Sequence, residues 1–304
     1  MKPNQIVVAS SLFSYVSAVV FLAALSLVST GSAAQPAAEK LDLRVDRVTI
    51  KVTDMDQALT FYRDVLGFAV LSEAPYPERV ALKSEGLPLV LERARRLVPA
   101  NHPEVTQTKL SLESADLLAT MARLRERGVV FLQDPPQPYG RNQEGVPLGI
   151  ATRFRDPFGH EYSIVEQQRH RGDAFSGIRV YNTGFYVPDV EAALAFYRDR
   201  LGFAVLTEQY YPNIPMGDAG GALAFMLHEF PEMRKADLTY PDDTQLLLVF
   251  TTQDLGASMQ KLRRKGVAFL DDVPRPVAEG RVVAFRDPFG NVAELLERHA
   301  AGSR

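Results

Sequence analysis

The sequence predicts an α+β protein in which a βαβββ unit is used repeatedly, and three observations carry that expectation. The stretch FYRDVLGFAVLSE, Phe61–Glu73, returns as FYRDRLGFAVLTE, Phe196–Glu208, with eleven of thirteen positions identical. A second motif, FRDPFG, occurs at Phe154–Gly159 and again at Phe285–Gly290. Together these define a duplicated unit of about 130 residues, large enough for a domain. Within each copy, segments of period two alternate with segments of helical period, in the same order twice over.

The first copy opens with Arg47–Val52, where Val48, Ile50 and Val52 face one way and Arg47, Thr49 and Lys51 the other, as on a half-buried strand. Asp54 then stands where a helix cap is wanted, with Gln57 three residues on. Met55, Leu59, Tyr62 and Leu66 follow at helical spacing, and Gly67 supplies the left-handed residue that ends such a helix. Three short apolar segments, Phe68–Ser72, Arg79–Lys83 and Leu87–Glu92, complete one βαβββ unit. The order then repeats: a strand at Thr106–Leu112, a helix capped by Ser114 and ended by Gly128, a strand at Val129–Leu132, a polar loop at Gln133–Pro147, and a strand at Gly149–Arg155. Asp156-Pro157-Phe158-Gly159 has the residue preferences of a type I turn joining that strand to Glu161–Glu166. The second copy runs the same course, with Tyr210–Gly221 reorganised and the long polar loop shortened.

Ahead of the copies, Lys2, the mostly apolar Ile6–Val28 and the small residues Ser29–Ala34 read as an export signal over residues 1–34; the alternative is an uncleaved anchor, since the run is long enough to span a bilayer. Either way the folded part is expected to be exported, periplasmic or extracellular, and to meet a membrane only if the segment stays uncleaved. Residues 35–45 and 169–177 read as linkers, 46–168 and 178–298 as the two domains, and 299–304 as a tail. The 34 basic and 37 acidic side chains leave a net charge of −3, which argues against nucleic acid as a partner. With no cysteine there is no disulfide, thiolate nucleophile or cysteine-ligated zinc.

The strand-helix-LGF pattern and the closing DPFG turn with its following strand resemble the vicinal oxygen chelate superfamily, which includes glyoxalase I, bleomycin-resistance proteins and extradiol dioxygenases. The resemblance covers nearly all of residues 46–298. It implies a tandem duplication of paired βαβββ modules, four in all, whose curved mixed sheets form two cups. It also implies where ligands would sit: on the first, fourth, fifth and eighth strands, facing away from the helices. These positions fall on Arg47, Glu92, Gln107 and Ser163 in the first copy, and on Asn182, His228, Gln245 and Glu294 in the second.

Taken copy by copy, the first cup would hold Arg47, Lys51, Gln107 and Lys109 with Glu92 as its acid, a set suited to an anionic or polar molecule unless the lysines merely reach the solvated rim. The second would offer His228, Gln245 and Glu294 to one divalent metal ion, although His228 alone on an apolar strand also reads as a structural histidine and Glu294 as an exposed strand carboxylate. Glu294 could instead serve as a metal-free general base. His102, His160, His170 and His299 fall in predicted loops, turns or the tail, where surface placement is expected. Three functions follow: capture of a small polar or anionic organic ligand, a metal-dependent lyase, isomerase or dioxygenase, and a purely structural module. Capture fits the incomplete ligand set best. The loops Tyr210–Gly221 and Gln133–Pro147 are expected to shape the pocket, and fusion of both copies in one chain is compatible with a monomer or a homodimer.

Overall fold

The computed structural model describes residues 41–73, 75–97, 108–141, 144–170, 175, 177–234, 239–241 and 245–299. The expected export segment, Gln107 and His102 lie outside the described residues. Four modules follow one another along the chain. The first is β1 (Arg44–Val52), α1 (Met55–Leu59, running on as a π-helix over Thr60–Val65), β2 (Ala69–Ser72), β3 (Arg79–Lys83) and β4 (Leu89–Arg93). The second is β5 (Thr108–Ser114), α2 (Leu117–Glu126), β6 (Gln137–Arg141), β7 (Pro147–Arg155) and β8 (Glu161–Gln167). The third is β9 (Ile178–Val187), α3 (Val190–Tyr197), β10 (Ala204–Val205), β11 (Ile214–Gly217) and β12 (Leu223–Glu229). The fourth is β13 (Leu246–Thr251), α4 (Leu255–Arg264), β14 (Ala268–Phe269), β15 (Arg275–Val277), β16 (Gly280–Arg286) and β17 (Val292–Arg298).

Each helix starts the same way, because an aspartate accepts a hydrogen bond from the backbone N–H three residues on: Asp54 from Gln57, Asp116 from Ala119, Asp189 from Ala192 and Asp254 from Ala257. Asp116, not Ser114, therefore caps α2. The Ser114 hydroxyl instead bonds the Thr120 hydroxyl at 2.8 Å, holding the strand end against the helix. The polar loop expected at Gln133–Pro147 contains β6, which pairs antiparallel with β7. Pro138 and Gly140 hide it in the sequence; an edge strand tolerates both. The strand expected at Val129–Leu132 is reduced to a single bridge between Phe131 and Phe154.

The sheets are not assembled copy by copy. One has nine strands, in the order β14-β16-β17-β13-β1-β4-β3-β2 with β15 paired to β16; the other has eight, in the order β10-β11-β12-β9-β5-β8-β7-β6. The first module thus completes the fourth through the antiparallel pair β1–β13, and the second completes the third through β5–β9. Each cup takes four strands from the first copy and the rest, five or four, from the second, and residues from Lys40 onward form one compact unit.

The two repeated motifs explain this arrangement, since within each copy they bind one another. The Tyr62 hydroxyl of the first FYRD motif donates to Asp156 of the first FRDPFG turn at 2.6 Å and lies 2.6 Å from the Tyr162 hydroxyl. In the second copy Tyr197 donates to Asp287 at 2.9 Å. The same aspartates organise their turns, accepting from the N–H groups of Phe158 and His160, and of Phe289 and Asn291. Modules of one copy are therefore joined through their helix sides, within a continuous apolar core that includes Leu59, Tyr62, Leu112, Phe154, Phe225, Phe250 and Leu295. That leaves the first strand of each module, at the edge of its own half-sheet, free to pair with the other copy. His160, expected at the surface, is 1% exposed because its Nδ1 lies 2.6 Å from Asp156 in this junction.

Candidate functional site: two cups of unequal character

Alternation along each strand sends apolar side chains to the shared core and the remainder into the cups. In the nine-stranded cup, β1 contributes Arg47 and Lys51, β4 Glu92 and β17 Glu294, and every one of these charges is matched. Arg47 donates to Asp46 at 2.6 Å and to Glu279 at 2.7 Å, and Arg79 reaches the other Glu279 oxygen at 2.6 Å. Lys51 is bonded to Glu92. Glu294 accepts from Tyr240 at 2.6 Å and from Arg275 at 2.7 Å. Burial alone would raise Glu279, but Arg79 and Arg47 hold it below the usual carboxylate range. Burial and the neighbouring Glu294 push Tyr240 well up, so it remains a donor. Two small apolar clusters, Leu247 with Ala284 and Val292, and Val249 with Val282 and Leu296, belong to this sheet, and a cavity of roughly 720 Å3 remains beside the paired charges of Lys51, Glu92 and Arg275.

The eight-stranded cup is different. It encloses a cavity of roughly 740 Å3 whose charged lining is Lys109, Arg141 and Arg169; no carboxylate lines it among the described residues. Lys109, on β5, makes no ion pair with a described residue; its ammonium lies over the Tyr186 ring, 5.7 Å from the centroid. Burial, with the Arg153 guanidinium adding to it, lowers Lys109 to about 8. His228 sits at the inner end with Nδ1 2.9 Å from Asn213 Oδ1, an arrangement in which Nδ1 donates and Nε2 is a bare acceptor. Burial first, and Lys109 second, push His228 well below its ordinary range, so the ring is neutral. The buried atoms His228 Nε2, Asn182 Oδ1 and Gln167 Nε2 have no hydrogen-bond partner among the described residues. Farther out, Leu148, Leu206, Leu223 and Met226 form an apolar wall, with Tyr139, Tyr181 and Tyr210 around it.

The description "Glyoxalase/Bleomycin resistance protein/Dioxygenase superfamily" matches residues 44–164 and again residues 179–295. The chain belongs to that superfamily. Among solved structures, glyoxalase I from Zea mays aligns with a TM-score of 0.60 at 16% identity, over 84% of this chain and 92% of that one. A putative dioxygenase from Bacillus subtilis aligns with a TM-score of 0.56 at 13% identity, over 86% of each chain. These likenesses carry the fold alone. No curated protein matches the sequence.

With the superfamily established, the sequence-derived site residues can be placed. Arg47, Lys51, Glu92 and Glu294 share the nine-stranded cup, whereas Lys109, Ser163, Asn182 and His228 belong to the eight-stranded sheet. The expected grouping of His228, Gln245 and Glu294 around one metal fails, because β12 and β17 lie in different sheets. Gln245 lines a small cavity beside Lys109 and Ser163. The Ser163 hydroxyl is taken by Ser111 at 2.8 Å. A divalent ion wants several imidazole or carboxylate donors. Glu294 is instead held by a guanidinium and a phenol, and His228 has a lysine cation for a neighbour, so neither cup presents a fitting donor set. Among the described residues no group of three or more His, Cys, Asp or Glu could hold a metal ion.

Sequence reasoning missed Arg141, Arg169, Gln167 and the tyrosines. Tyr139 and Arg141 sit on the hidden strand β6. Tyr181 turns into the cavity because the β5–β9 register shifts between Ser111 and Leu112, which pair with Asn182 and Val180. The loop expectation fared better: Tyr139, Arg141 and Val146 come from Gln133–Pro147, and Tyr210, Asn213 and Pro215 from Tyr210–Gly221, all lining this cavity.

Proposed function

We propose that the protein binds a small organic anion with an apolar body in the eight-stranded cup, without a metal. The observation that carries this reading is a cavity with three cationic side chains, one of them partly buried and without an ionic partner, and no lining carboxylate. A cation held out of water without a counter-charge is costly, and an anionic ligand removes that cost. Leu206, Leu223 and Val146 remain exposed at the rim, 41%, 46% and 50% respectively, where an apolar ligand body would cover them. The N-terminal segment supports a place outside the cytoplasm. Completion of both sheets within one chain supports a monomer.

Calorimetric titration with 1-naphthoate tests the binding. One saturable site is expected, weakened at least tenfold, about 1.4 kcal/mol, in Lys109→Met. Absence of saturable binding, or equal binding to Lys109→Met, rejects the reading.

A further inference from the structure

Lys109 stands between two cavities, the large one described above and a small one of roughly 100 Å3 lined by Thr108, Arg153, His160, Glu161, Ser163 and Tyr186 among others. The charged and titratable groups around it leave its amine uncommitted. Arg153 is turned to Glu161 at 2.6 Å, His160 to Asp156, and Tyr186 offers its ring face. The Lys109 backbone is fixed by contrast, its carbonyl accepting from the Thr183 hydroxyl at 2.8 Å. Across the large cavity, His228 presents a neutral imidazole whose Nε2 has no hydrogen-bond partner among the described residues. An amine with no ionic partner among the described residues, set in a cavity wide enough for a small organic molecule, is what nucleophilic attack on a carbonyl needs.

We propose that Lys109 is a covalent anchor, whose ε-amine condenses with the aldehyde or ketone group of an organic anion held in the eight-stranded cup. This rests on the anion-binding reading, with Arg141 and Arg169 at the outer end taking the anionic group and the carbonyl reaching Lys109. The ammonium first gives a proton to water in the cavity. The amine lone pair forms the C–N bond as the carbonyl π pair moves onto oxygen, which takes up the proton lost from nitrogen to give a neutral carbinolamine. A proton from solvent passes to the hydroxyl, the C–O bond breaks, and water leaves as the nitrogen lone pair forms C=N. The net change is R–NH3+ plus O=CHR′ to R–NH+=CHR′ plus water, with charge conserved and no oxidant required. The small polar cavity beside Lys109 has room for the released water. Burial supports the chemistry, since an amine brought to about 8 is free in a usable fraction near neutral pH.

The test is reductive trapping of the full chain with 4-carboxybenzaldehyde and cyanoborohydride, read by peptide mass spectrometry, with 1-naphthoate as competitor. Saturable modification of Lys109 is expected at a rate at least tenfold above that of the exposed Lys83, suppressed by 1-naphthoate and absent from Lys109→Arg. Labelling distributed over lysines according to exposure overturns the proposal. Saturable 1-naphthoate binding without a Lys109 adduct also overturns it, while leaving anion binding intact. A Lys109 adduct in a protein that does not bind 1-naphthoate supports the anchor and rejects the anion reading instead.

Discussion

The two cups are built from the same module, share one apolar core, and treat charge in opposite ways. In the nine-stranded cup Arg47, Lys51, Glu92 and Glu294 are each tied to an opposite charge, and β15 carries Arg275 across Glu294. In the eight-stranded cup Lys109 has no such partner and the cavity carries a net excess of cations. One has these charges paired within the chain; the other leaves Lys109 without an ionic partner among the described residues. The difference teaches that a superfamily position identifies where a side chain points, whereas its partners decide whether it remains available.

Breaking the charge-paired cup should give the largest effect on folding. Glu279→Ala removes the acid shared by Arg47 and Arg79 and leaves a guanidinium only 6% exposed with one partner fewer. A loss of about 3 kcal/mol in urea unfolding is expected, with 1-naphthoate binding unchanged. Lys109→Met should do the reverse: binding falls at least tenfold, while the thermal midpoint does not drop, because the mutation removes a charge that burial disfavours.

The pH dependence sharpens the same contrast. The folded-state pKa of Lys109 lies below its unfolded value, so its charged form costs the folded state below about pH 8, and the cost is relieved as pH rises from about 8 towards the unfolded value near 10.4. The stability of the unliganded protein should therefore gain a contribution over that window, measurable by urea unfolding and missing in Lys109→Met. Binding of 1-naphthoate should weaken over the same window as the amine loses its charge, and flatten in Lys109→Arg. The smallest effect concerns what both cups share. Tyr197→Phe deletes one hydrogen bond to the buried Asp287 and should cost about 1 kcal/mol, read by chemical unfolding, without altering ligand affinity.

The fold was largely legible because it is written in local signals: aspartate caps, alternation on β1, helical spacing around Tyr62, and a duplicated turn. What could not be read was pairing between distant strands. Arg47 and Glu294 are in facing rows of one cup only because β1 and β17 both flank β13, and no short-range pattern states that. The site was half legible. Lys109, Asn182 and His228 point into the cup by simple alternation, but the ion pair that holds Arg47 depends on Glu279 and on the pairing across copies. Tyr181 and Arg141 were hidden by a register shift and by an edge strand that looks like loop.

The interleaving of the copies also sets an order of assembly. The last strand of the eight-stranded sheet ends at Glu229, so the ligand cavity can close before the final quarter of the polypeptide has been synthesised. The opening strand has no such luck: Arg44 pairs with Thr251, roughly 200 residues downstream, and must wait for it. During synthesis the eight-stranded half can be ready first, and the nine-stranded half that joins the two ends of the folded chain arrives last.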